Sequence, residues 1–382
     1  MTTATKPPVL VVVQLTGGND FMNTVVPYDN GHYRDARKGG LRIDEDAVLK
    51  LDGEFGLHPT LAPIKELYDQ GDMAVLHGVG YPNSPRSHFR SMDIWHTCEP
   101  NKVGTEGWAG RAVRDLDPSA ENPVTGVHIG QGLPRALVVS GVPVASVADL
   151  STYGLLTSIE QEQKRDKMLT RFVNMYGRAI GTGPVNDYLG RTGLDALKGA
   201  DILKDGRAKY SSGVEYGTDQ ISKNLRDIAS IHTADLGTRL FYTSHVGFDT
   251  HANQQPTFDR LWTDLARGIA DFWDDLRAHQ ADENVVMFLF SEFGRRVRDN
   301  GSGSDHGAGG GCIAIGPRVR GGLHGQFPNM APEALESGDL VPNQDFRGVY
   351  STLLEDWLQL DPVPIVDGTF EKPAFIQTVG AA

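Results

Sequence analysis

The sequence predicts a single α/β domain whose strands pair in parallel and whose polar residues gather at strand ends. Three observations carry this. The apolar runs Val9–Leu15 and Val285–Phe290 read as strands buried on both faces, and Met73–Val79 reads as another strand. Leu61, Ile64, Leu67 and Tyr68 fall at helical spacing between Val9–Leu15 and Met73–Val79, and a strand–helix–strand start points to parallel pairing through a right-handed crossover. Unusual polar clusters follow the strands directly, as expected where a parallel sheet presents its carboxyl ends to a ligand.

Further along, Ala136–Val147 predicts one or two more strands, broken by Gly141 and Pro143. From about 151 to 230 the texture becomes helical, with Leu155, Leu156 and Ile159, then Met168, Leu169 and Phe172 at helical spacing. A glycine-rich, mixed-charge stretch from Gly181 to Gly217 follows. No strand run lies there, so the segment is expected to be a helical insertion over the sheet rather than a second domain. Leu240–Val246 resumes the strand pattern. The clearest helix comes next: Phe258, Leu261, Trp262, Leu265, Ile269, Phe272, Trp273 and Leu276 form one apolar stripe, with charged residues off it. Ile313–Val319 is expected as a late strand and Val349–Leu358 as a closing helix. One domain over residues 8–362 with a short extension at 363–382 is the expected organisation.

The chain has 382 residues, a formal net charge of -13 spread along its length and 39% hydrophobic residues. That charge argues against a nucleic-acid partner, which needs a basic face. It leaves room for an anionic small molecule held by a metal or a few arginines. Cys98 and Cys312 alone make neither a disulfide framework nor a zinc ribbon. No apolar run reaches the roughly 18 residues of a membrane span. The N-terminus lacks the pattern of a signal peptide, so the expected location is cytoplasmic as the sequence stands and periplasmic if a signal was removed. The 45 glycines exceed the roughly 7% typical of proteins, and many flank Asp, Asn, Ser and His.

Three clusters that follow strands, and one loop between the last two strands, hold most of the candidate chemistry. TGGND after the first strand offers Asp20 and, a turn later, Asn23 as hard oxygen donors. The segment SHVGFDTH supplies Asp249 and His251, a pair suited to zinc or manganese, or else a capping aspartate and a surface histidine. SEFGRR places Glu292 directly after an apolar strand, where a carboxylate needs a partner: a metal, or Arg295 or Arg296. The loop GSGSDHGAGGG surrounds Asp305 and His306 with glycines that let backbone crowd a ligand. Near the second strand, NSPRSHFRSMD contributes Arg86, Ser87 and His88. There Ser87 is preferred over Ser84 as a nucleophile, its other reading being a helix N-cap. Phosphate-loop, nucleophile-elbow and HExxH motifs are absent.

The blocks LTGGNDFMNTVVPY, LDGEFGLHPTLAPIKELY, NSPRSHFRSMDIWHT, GFDTHANQ, SEFGRRVRDNGSGSDHGAGG and DFRGVYSTLLEDWL resemble the bacterial DUF1501 proteins over about residues 8 to 360. That family is grouped with the alkaline-phosphatase-like superfamily of phosphatases, sulfatases and phosphomutases. The resemblance implies a three-layer α/β/α sandwich around a mostly parallel sheet and a divalent metal, zinc, manganese or calcium. By it, Asp20 stands for the first-strand aspartate and Ser87 for the nucleophile. Asp249, His251 and His306 stand for ligands of one metal, and Glu292 for the aspartate of an Asp-His pair. Phe293 occupies the place of that pair's histidine, so one metal is expected rather than two.

The function expected is metal-dependent hydrolysis of a phosphate or sulfate ester, small-molecule or glycan. The metal donors would come from Asp20, Asn23, Asp249, His251, Glu292, Asp305 and His306. Ser87 or a water would attack, Arg86, Arg90 or Arg295 would neutralise charge, and His88 or His306 would carry protons. A phosphotransferase, or a binding protein with a degenerate site, is the alternative.

Overall fold

A computed structural model describes residues 6–150, 153 and 162–377. The described strands are β1 (Val9–Thr16), β2 (Val25–Val26), β3 (Leu49–Lys50), β4 (Gly56–Leu57), β5 (Met73–Gly80), β6 (Gly126–Ile129), β7 (Ala145–Val147), β8 (Leu240–Val246), β9 (Val285–Phe290), β10 (Gly310–Ile315), β11 (Gly322–His324) and β12 (Gln344–Asp345). The main helices are α1 (Ala62–Asp69), α2 (His88–Thr97), α3 (Trp108–Leu116), α4 (Glu162–Ala179), α5 (Pro184–Lys209), α6 (Gln220–Thr233), α7 (Gln254–Ala278) and α8 (Phe346–Thr352).

Nine strands form one sheet in the order β11-β5-β10-β9-β1-β8-β6-β7, with β12 also on β5. β1 pairs in parallel with both β8 and β9. Only β10 runs against its neighbours, β5 and β9. The first two long strands, β1 and β5, therefore point the same way but stand two strands apart. Alternation along β1 sorts the core. Val9, Val11, Val13 and Leu15 face a layer built from α1, α6 and α7, while Leu10 and Val12 face α2, α3 and α8. Side chains of a strand buried on both sides divide in this way, which is why Val9–Val13 of β1 reads as an unbroken apolar run. The α/β/α sandwich around a mostly parallel sheet is thus the observed architecture.

The helical insertion contains α4, α5 and α6 and no strand among its described residues. Leu155, Leu156 and Ile159 lie outside the described residues. The glycine-rich stretch is in large part the 26-residue helix α5. Two of its glycines sit where it touches α4: a Cβ at Gly190 would meet the Tyr176 carbonyl at 2.8 Å, and one at Gly193 the Tyr176 ring at 2.5 Å. At Ala136–Val147 a short 3-10 turn, Arg135–Leu137, and the three-residue β7 replace the longer strands expected. The late strand begins earlier than Ile313, at Gly310, and the closing helix α8 runs into a π-helical turn at Leu353–Trp357. Ile365, Val366, Phe375 and Ile376 are buried in the α2, α3 and α8 face, so this part of the expected extension packs on that layer.

Candidate metal centre

The carboxyl ends of β1, β5, β8 and β9 open on one edge of the sheet. Because β10 enters in the opposite sense, its N-terminal loop, with Asp305 and His306, lies at that same edge. An antiparallel bridge between Arg295 and His306 fixes this loop beside the one after β9. Gly17 brings the β1 loop in: it has φ +124°, and a Cβ there would meet the Asp249 amide nitrogen at 2.3 Å.

Asp249 is the hub. Its Oδ1 lies 2.8 Å from Arg295 Nη2, 3.0 Å from His306 Nε2 and 3.1 Å from His251 Nε2. Its Oδ2 lies 3.4 Å from His88 Nε2. Burial works against its charge, but opposing causes, first the hydrogen bond from Arg295 and then its guanidinium charge, outweigh it and hold the carboxyl at about 2.

Each imidazole is gripped at the other nitrogen by an acceptor. His88 Nδ1 donates to Glu292 Oε1 at 2.8 Å, His306 Nδ1 to the Arg86 carbonyl at 2.9 Å and His251 Nδ1 to Asp305 Oδ1 at 3.1 Å. A carbonyl or carboxylate only accepts, so the proton of each neutral ring resides on Nδ1 and Nε2 carries a bare lone pair. Glu292 is held in that role: it is fully buried, and its two oxygens also accept from the Gly17 amide at 2.9 and 3.2 Å. This bond to Glu292 raises the pKa of His88 above the ordinary histidine value, against the opposing effect of burial.

His88, Asp249 and His306 have ligand atoms all within 4.8 Å of one another. Two further observations test whether a cation suits them. His88 Nε2 is buried without a hydrogen-bond partner. His251 and His306 turn their Nε2 atoms toward each other at 2.9 Å, a contact that two bare lone pairs oppose unless a proton or cation lies between. Nitrogen and carboxylate donors, each steadied from behind, suit a borderline divalent ion such as zinc or manganese. The residues present fit such a metal.

Five expected site residues are engaged in other ways. Asp20 is 1% exposed and locked to Arg37 (0%) by contacts of 2.5 and 3.1 Å, with Gln254 Nε2 adding a third at 2.5 Å. It is the counter-charge of a buried arginine, not a donor to the cluster. Asn23 bonds Tyr33 and the Leu41 carbonyl. Arg295 is buried with its nitrogens committed to Asp249 and to the carbonyls of Gly17, Gly18, Phe248 and Ser304, so it braces loops rather than meeting substrate. Arg86 pairs with Asp339 at 2.5 Å and acts on the cluster through its carbonyl. Arg90 is likewise engaged, by Asp93 and two carbonyls.

Ser87 is exposed at the N-cap of α2 and its hydroxyl caps no amide. His88, expected as a proton carrier, turns its bare nitrogen to Asp249. Glu292 and Asp305 stand behind histidines rather than facing the centre. Phe293, in the place expected for a ligand histidine, is a buried wall whose ring packs 4.9 Å from His88 and 4.8 Å from His306. Sequence reading missed Arg135, which lines the cavity beside the cluster, and the buried set Gln14, His96 and Tyr242 under it.

Residues 191–354 match the family model described as Protein of unknown function (DUF1501). This stretch carries Asp249, His251, Glu292, Arg295, Asp305 and His306; Ser87 and His88 lie outside the matched stretch. No curated protein matches the chain in sequence. Among solved structures, the chain is similar to the C-terminal periplasmic domain of EcEptC from Escherichia coli, in complex with Zn, at 9% identity and TM-score 0.38, over 82% of this chain and 74% of that one. It is similar to the PsFucS1 sulfatase from Pseudoalteromonas sp. at 11% identity and TM-score 0.37, over 89% and 71%. A protein in the alkaline phosphatase superfamily from Vibrio parahaemolyticus matches at 9% identity and TM-score 0.35, over 86% and 64%. No helix among the described residues is long and apolar enough to cross a membrane.

Proposed function

We propose that the cluster binds one divalent cation and that the protein cleaves a phosphate or sulfate ester. The observation that carries the first half is the convergence of three imidazole Nε2 atoms on Asp249, each ring held at Nδ1 by an acceptor. The ester follows from the sequence blocks that resemble DUF1501 and its superfamily.

When bound, the cation neutralises charge on the ester oxygens and lowers the pKa of the attacking oxygen. The chain's own residues do the positioning. Glu292, Asp305 and the Arg86 carbonyl set the three rings, and Arg295 fixes the Asp249 carboxylate from behind. With their Nε2 atoms turned inward, His88 and His306 serve as donors to the ion rather than as proton carriers. Arg135 lines the cavity beside the cluster and is paired there with Asp93 at 2.8 Å, so charge on the ester falls to the cation rather than to an arginine. The exposed Ser87 hydroxyl or a water is the attacking group; trapping a phosphoserine at position 87 separates transfer through the enzyme from direct hydrolysis.

The test is a panel of phosphate and sulfate monoesters assayed before and after chelation, with zinc, manganese and calcium restored one at a time. Turnover that chelation abolishes and one metal restores supports the reading. Turnover indifferent to chelation, or no turnover by metal-loaded protein, contradicts it.

A further inference from the structure

Helix α2 brings more than His88 to the sheet edge. Phe89, Met92, Asp93 and His96 follow at helical spacing on one face, and all of them line a cavity of about 570 Å³ whose wall also includes His88, Asp249 and Glu292. Phe89 is 92% exposed and makes no ring contact among the described residues. Gly17 and Gly247 line the same cavity and bring no side chain to it.

The polar groups in the cavity wall are already spent on one another. Gln14 Oε1 accepts from His96 Nε2 at 2.8 Å and from Tyr242 at 2.5 Å, while Gln14 Nε2 donates to Thr16 Oγ1 at 2.7 Å. Arg135 is paired with Asp93 at 2.8 Å. Beyond the cluster, therefore, the cavity offers an open aromatic face, a thioether and glycine backbone, and few free partners for hydroxyl groups. A polyol held here would lose hydrogen bonds to water without replacement, whereas an apolar group loses none.

We infer that the part of the substrate leaving as the alcohol is apolar, a phenolic ring seated against Phe89 and Met92, and that the enzyme discriminates against esters of sugars and polyols. This rests on the ester-cleaving reading of the cluster and narrows its substrate class. Met92 and Phe89 are then specificity-determining residues, distinct from those that steady the imidazoles.

The experiment compares phenyl phosphate and phenyl sulfate with glycerol phosphate and glucose 6-sulfate on the metal-loaded protein. The phenyl ester is expected to be favoured in kcat/KM by at least roughly tenfold over the polyol ester of the same acid, the scale of discrimination an apolar pocket achieves. Phe89→Ala is expected to cut that preference about fivefold, mainly through KM, with metal content unchanged. Equal rates for both classes, or a variant that slows both alike, overturns the inference while leaving the ester-cleaving reading intact. If no ester is turned over, phenol binding followed by NMR decides: binding lost in Phe89→Ala and not competed by glycerol sustains the apolar subsite, and absence of binding overturns it.

Discussion

Asp249 Oδ1 lies 3.0 Å from His306 Nε2, while the opposite nitrogen of that ring donates to the Arg86 carbonyl. A ring whose proton is committed elsewhere presents an electron pair to a carboxylate, which is unfavourable until something positive intervenes. His88 and His251 repeat the arrangement around the same aspartate.

Glu292 governs the tautomer of His88 and should therefore govern metal affinity. Replacing it with Gln keeps the shape but turns an amide toward either the Gly17 N–H or the imidazole. Metal affinity should fall about 10- to 100-fold, the usual consequence of losing such a supporting carboxylate. Competition with a chromogenic chelator measures it, and unchanged affinity would show that Glu292 is merely packed there.

Asp20 belongs to the frame rather than the site. Asp20→Ala strands the fully buried Arg37, which should cost about 3–5 kcal/mol of stability. Urea unfolding measures the loss, and the variant that still folds should retain its metal. A stable protein that has lost its metal would return Asp20 to the ligand set.

The pH dependence has two parts. His88 is raised above the unfolded value of about 6.5 by its bond to Glu292, so in the metal-free protein it contributes stability below that value and loses the contribution as pH climbs through its higher folded pKa. Cation binding requires the neutral ring, so affinity should strengthen over that same rise. Asp249, held at about 2, contributes above the unfolded carboxylate value of about 3.9 and loses its contribution as pH falls toward 2. Zinc titrations and melting curves across pH check both signs. Affinity that weakens as pH rises through neutrality would contradict the assignment of His88.

The strand ends were legible because burial on both faces leaves an unambiguous mark: Val285–Phe290 is apolar throughout, and Glu292 stands out after it. The stripe of Phe258 to Leu276 was legible for the same reason. Strand β6 left no mark, since Gly126–Ile129 is four residues long and includes a histidine. Helix α5 was obscured by its glycines, which lower helix propensity yet allow the close contact with Tyr176. Among the site residues, Asp249 and His306 could be picked out by position. The difference between Asp249 and Asp20 could not, because it is made by Arg37 and Gln254 folding over Asp20. His88 was visible as a histidine but not as a member of the cluster, because Glu292, 204 positions away, is what orients it.

The most direct measurement is elemental analysis of the purified protein beside its His306→Ala variant, each after incubation with zinc, manganese and calcium. About one equivalent of a single divalent metal in the parent, lost in the variant while the fold persists by circular dichroism, is the expected result. A parent that holds no metal after reconstitution would mean that a shared proton, not a cation, lies between these imidazoles, and would contradict the account.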